Sequence, residues 1–168
     1  MKHKFLLTTF MLAGIATGLH AQETASATAT ATIVTPISIV KDVDMNFGNV
    51  AVRSTAGGTV VLSPAGVRTK TGGVTLPLTT GTVSAASFTV SGTGAYTYTI
   101  TLPSTALTIT SGANTMTVTA FTSTPSGTGQ LTAGEQTLNV GATLNVATAQ
   151  PSGVYVSATP FDVTVNYN

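Results

Sequence analysis

Apolar and polar residues alternate along most of this chain, the period-two signature of strands with one buried face. Tyr96, Tyr98, Ile100 and Leu102 alternate with Thr97, Thr99 and Thr101, which predicts a strand. Phe161, Val163, Val165 and Tyr167 alternate with Asp162, Thr164, Asn166 and Asn168, which predicts another. From residue 25 to residue 47 the odd positions are mostly apolar, with Val43, Met45 and Phe47 inward at the end of the run. Pro36 interrupts that run, so it reads as two strands or one kinked edge strand. Shorter alternations centre on Val60 and Leu62, on Val74, Leu76 and Leu78, on Phe88 and Val90, and on Met116, Val118 and Ala120. Leu138 and Val140 face Leu144 and Val146 across Gly141, the pattern of a hairpin. No segment sustains a helical period.

Turn signals separate these runs: Gly57-Gly58, Ser63-Pro64, Gly72-Gly73, Ser91-Gly92-Thr93-Gly94, Ser111-Gly112, Pro125-Ser126-Gly127 and Pro151-Ser152-Gly153. Thr supplies about a fifth of the residues, and its branched, stiff side chain favours strands. Many short strands with one apolar and one hydroxyl-rich face predict an all-β, antiparallel sandwich or barrel.

The first 21 residues depart from that pattern. Lys2 and Lys4 precede an apolar stretch that ends at the small residue Ala21. This is the layout of a secretory signal peptide over residues 1–21, with cleavage between Ala21 and Gln22. The expected product is exported to the periplasm, the cell surface or the medium. The apolar stretch is short for a membrane-spanning helix, which needs about 20 apolar residues, so an integral membrane protein is not expected. An outer-membrane barrel lacks its aromatic girdles here.

Cleavage would remove His3 and His20, the chain's two His residues, and the sequence has no Cys or Trp. Ser-His-Asp and Cys-His catalysis then have no members, and His- or Cys-built metal centres have no ligands. We therefore expect no enzyme activity, no catalytic residue, no cofactor and no metal. Six Lys and Arg against five Asp and Glu, without a basic cluster, argue against nucleic acid.

Three motif-like stretches reduce to strand chemistry. Asp42-Val43-Asp44-Met45-Asn46 begins like a calcium loop, but Phe47 and Arg53 stand where Gly and Glu are needed. Ser38-Ile39-Val40-Lys41 and Lys70-Thr71-Gly72 imitate two penicillin-recognition motifs without the third. Asp42 and Asp44 lie on one strand face at a spacing open to glycoside chemistry, yet no aromatic platform accompanies them.

Only 7% of the residues are charged, against about a quarter in ordinary domains. Sheet edges are normally blunted by Lys, Pro or bulges, because open N–H and C=O groups recruit other chains. Beyond residue 21 the lysines are Lys41 and Lys70. Edges so bare of charge suggest assembly through pairing.

The segments Ala31-Thr32-Ile33-Val34-Thr35-Pro36-Ile37-Ser38-Ile39, Asp44-Met45-Asn46-Phe47-Gly48, Leu138-Asn139-Val140-Gly141-Ala142-Thr143-Leu144 and the ending Phe161 to Asn168 resemble the bacterial secreted family called domain of unknown function 4402. More distantly, the alternating N-terminal run, Phe47-Gly48, and Gly153-Val154-Tyr155 before the last strand are similar to spore coat protein U and archaic chaperone–usher pilins. That resemblance implies an immunoglobulin-like sandwich completed by a neighbouring subunit's strand, with a periplasmic chaperone and usher as partners. Residues 22–34 would be the donor strand, with Ala27, Ala29, Ala31 and Ile33 inserting. Residues 35–168 would be the sandwich, with Phe161, Val163, Val165 and Tyr167 on the receiving strand. The expected role is a structural subunit of a surface fibre, pilus-like filament or matrix, through self-association or contact with other surface subunits. The alternative is a self-contained secreted adhesin module for carbohydrate or a host surface.

Overall fold

The computed structural model describes residues 22–168, so the signal segment and Ala21 lie outside the described residues. Two units are distinguished, one ending at Thr32 and a body from Ile33 to Asn168. Residues 22–32 have no regular secondary structure and are exposed.

The body is all-β among the described residues. Its strands are β1 (Ser38–Val43), β2 (Ala51–Val52), β3 (Gly58–Leu62), β4 (Arg68–Lys70), β5 (Val74–Thr75), β6 (Ala86–Ser91), β7 (Thr97–Thr101), β8 (Leu107–Ser111), β9 (Asn114–Thr124), β10 (Thr128–Gln130), β11 (Glu135–Val146), β12 (Val156–Ser157) and β13 (Thr164–Tyr167). The main sheet runs β1-β6-β11-β9-β8-β12, with β3 also on β11 and β4 on β3. A second sheet runs β10-β7-β13, and β2 pairs with β5. All of these pairings are antiparallel.

The long strand β11 organises the fold. Its first half, Glu135 to Val140, pairs with β6, and its second half, Ala142 to Val146, pairs with β3. Strand β9 follows it along the other side. Two apolar clusters result. Phe88, Val90, Tyr98, Leu131, Leu138, Val140 and Val165 bury one, between the main sheet and β10-β7-β13. Val60, Val74, Val118, Leu144 and Val146 form the other, with Val52 of β2 packed against it. Met45 and Phe121 touch both clusters. Each large aliphatic side chain fully buried in this way contributes roughly 1.5–3 kcal/mol.

The structure corrects several expectations. Gly141 makes no hairpin, because β11 continues through it. A Cβ there would collide with the Leu62 carbonyl and the Ser63–Pro64 backbone, so the glycine admits the end of β3. A register shift in the β9–β11 pairing follows at Gly141–Thr143, beside Ala120, whose φ is 49°. This bulge turns Ala120 outward and puts Phe121 and Ser123 on the inner side. A second shift, between Lys41 and Val43, rotates Val43 outward to 44% exposure. The strand expected through Leu78 ends at Thr75, and Leu78 is fully exposed beyond Pro77. Strand β8 went unread because Leu107 and Ile109 alone carry its alternation.

Candidate strand-docking site

Among the described residues, strand β1 pairs only with β6, and β13 only with β7. The two strands lie next to each other, each with an edge unpaired among the described residues. Pro36 delays the start of β1, since a proline removes a ladder donor. Ile37 and Ile39 turn inward from the beginning of β1 and pack, half-buried, on the first core cluster.

The four C-terminal alternating residues all reach that same cluster. Val165 is buried, and Phe161, Val163 and Tyr167 are half-buried. Phe161 sits edge-on to Phe88 at 6.4 Å and tilted on Phe121 at 5.0 Å. Pairing starts at Thr164 opposite Thr101 and ends at Tyr167 opposite Tyr98, so Phe161 and Val163 precede the paired stretch.

Tyr167 ties three segments together. Its hydroxyl accepts from the Thr93 amide at 2.7 Å and donates to the Thr35 carbonyl at 2.9 Å. The Thr35 amide donates to Thr93 Oγ1 at 2.9 Å. Gly92 is required at this point, because a Cβ there would strike the Tyr167 hydroxyl. Tyr96, half exposed, tilts over the Tyr167 ring at 5.6 Å.

One charge limits the open edge. Lys41 lies opposite Phe88, on the inward-facing parity of β1, and its Nζ meets Asp44 Oδ1 at 2.7 Å. Its side chain is 55% exposed, and a lysine on an edge strand blunts further pairing. The apolar stretch of β1 therefore ends at Val40. Val40 itself faces solvent at 62% exposure.

The remaining sequence candidates lie apart from any shared chemistry. Asp42 and Asp44 are exposed, and Asp42 accepts from Thr89 Oγ1 at 2.9 Å. Ser38 donates to the Ser91 carbonyl at 3.5 Å, while Lys41 turns to Asp44. Ala27, Ala29 and Ala31 are exposed, and Ile33 is 93% exposed.

Sequence reasoning missed a polar network inside the first cluster. Tyr98 donates to Gln136 Oε1 at 2.7 Å, and the Gln130 amide donates to the same oxygen at 2.9 Å. Gly129 leaves room for it, since a Cβ would meet the Tyr98 ring and Gln136. The signal was present: Gln136 stands at the inward parity of Leu138 and Val140. Burial raises the Tyr98 pKa above its usual value. The folded state thus holds that proton more tightly. Its stabilising contribution is complete below the unfolded pKa near 10 and is lost as pH rises through the higher folded value.

A family model described as Domain of unknown function (DUF4402) matches residues 37–167. The chain belongs to that family. Searches of curated proteins and of solved structures returned no match. Among the described residues no helix is long and apolar enough to cross a membrane.

Proposed function

We propose that this member of the DUF4402 family is an exported, non-enzymatic structural subunit of a surface fibre, pilus-like filament or extracellular matrix. Its body is read as an immunoglobulin-like sandwich completed by a neighbour's strand. The observation that carries the reading is the pair of open edges on β1 and β13, backed by half-buried Ile37, Ile39, Phe161, Val163 and Tyr167. Bulky apolar side chains left half-buried beside unpaired backbone suit an added strand.

Residues 22–34 of a second copy supply the chemistry of that strand. They alternate Ala with Thr and Ser and carry exposed Ile33 near their end. Main-chain hydrogen bonds would carry most of the affinity. Ala side chains bury little area at about 25 cal/mol per Å², so Ile33 is the main apolar anchor. A periplasmic chaperone and usher fit the same scheme, holding the edges until a neighbour arrives.

Negative-stain microscopy of residues 22–168, purified and concentrated, tests the proposal. Filaments or linear oligomers are expected. Uniform single particles at every concentration would overturn it.

A further inference from the structure

On the outer face of the main sheet, the registers align a row of polar side chains across four strands. Thr108 lies opposite Thr117, Thr117 opposite Asn145, and Asn145 opposite Thr59. Their neighbours in sequence, Val118, Leu144, Val146 and Val60, are buried on the other face. Thr59, Thr115, Thr117, Asn145 and Gln150, together with Gly58, Met116, Val146 and Ala147, line a trough of about 420 Å³ at this end of the sheet. That volume falls within the range of small-ligand clefts, ~300–1,000 Å³.

The trough's amides are held in place. Asn145 Nδ2 donates to the Thr117 carbonyl at 3.3 Å and to Thr119 Oγ1 at 3.0 Å. Gln150 Nε2 donates to the Thr115 carbonyl at 3.1 Å and to the Tyr155 hydroxyl at 2.8 Å. The Tyr155 hydroxyl in turn donates to the Pro151 carbonyl at 2.7 Å. A backbone carbonyl only accepts, so each amide must turn its nitrogen toward the sheet. Their oxygens are left as acceptors, with no donor to either among the described residues.

We infer that this trough binds a neutral glycan chain. The lining holds no ionised side chain, so a charged ligand would lose hydration without a counter-charge. An apolar ligand would strand the amide oxygens and threonine hydroxyls. A chain of neutral hydroxyls satisfies both: it donates to Asn145 Oδ1 and Gln150 Oε1, and exchanges bonds with Thr59, Thr115 and Thr117. Met116, Val146 and Ala147 add apolar surface to the lining. This inference is independent of strand complementation, and either can fail alone.

Isothermal titration calorimetry of residues 22–168 tests it, with cellohexaose, laminarihexaose and chitohexaose as neutral probes and oligogalacturonate as the charged one. At least one neutral hexasaccharide is expected to bind saturably, and the charged probe is not. Asn145→Ala and Gln150→Ala should each weaken that binding tenfold or more. Thr117→Val, which keeps the strand's shape, should weaken it too, while Thr117→Ser retains it. Thr159→Ala, in the separate cleft between residues 101–110 and 158–164, should leave it unchanged. Failure of all three neutral probes, equal binding of the charged one, or indifference to Asn145→Ala and Gln150→Ala would overturn the assignment.

Discussion

Two edge strands of the main sheet, β4 and β1, present their edges in opposite ways. At the β3–β4 side the edge strand is three residues long and carries Arg68 and Lys70. Arg68 reaches across to hold the carbonyls of Phe47, at 2.6 Å, and Asn49, at 3.0 Å. Lys70 marks the edge with a charge. At the β1–β13 side the edges are longer and backed by Ile37, Ile39, Val163 and Tyr167, and the one lysine, Lys41, comes only after the apolar stretch. The sparse charge of the chain is thus spent unevenly. One side is defended against pairing as monomeric sheets usually are, and the other is left open over a defined length.

The comparison can be broken first at its base. Val165, in the first cluster, is buried beneath the open side. Val165→Asp places an unpaired charge there and should cost roughly 4 kcal/mol or more, enough to abolish the folded state. Val40→Asp, on the exposed face of β1, should change stability by less than about 0.5 kcal/mol. Urea titration followed by circular dichroism separates the two outcomes.

The guarded side should respond next. Arg68→Ala leaves two carbonyls without their donor and should lower stability by roughly 1–3 kcal/mol, read in the same titration. At the open side, Tyr167→Phe removes two hydrogen bonds, each worth about 1 kcal/mol. Its signature is local: the Thr93 amide should exchange hydrogen faster than in the parent chain. Lys41→Thr should also change stability little, since an exposed ion pair is worth less than about 1 kcal/mol. That substitution should still raise self-association, by lengthening the stretch of β1 open to pairing. Sedimentation velocity over a concentration series checks it.

Period-two alternation made the strands around Phe88, Tyr98, Val118 and Val165 legible, because each buries one face in an apolar cluster. It failed where the backbone changes phase. The bulge at Ala120 and the register shift after Lys41 leave no mark in an apolar–polar pattern. Gly141 was misread because a turn glycine and a close-approach glycine look alike in sequence, and only the Leu62 carbonyl distinguishes them. The alternating C-terminal run was visible in full, whereas its open edge is a property of topology that no local pattern carries. The Tyr167 clamp joins Thr35, Thr93 and Tyr167 across long separations. The outer trough was hidden similarly, since Thr117, Asn145 and Thr59 become neighbours only through strand register.

The most direct test of strand complementation compares the solution mass of residues 22–168 with that of residues 35–168 by light scattering. The account predicts concentration-dependent oligomers for the longer chain. For the shorter it predicts a folded monomer that binds a peptide spanning residues 22–35. A longer chain that stays monomeric at high concentration, with residues 22–34 protected from hydrogen exchange, would contradict it and leave a self-contained module in its place.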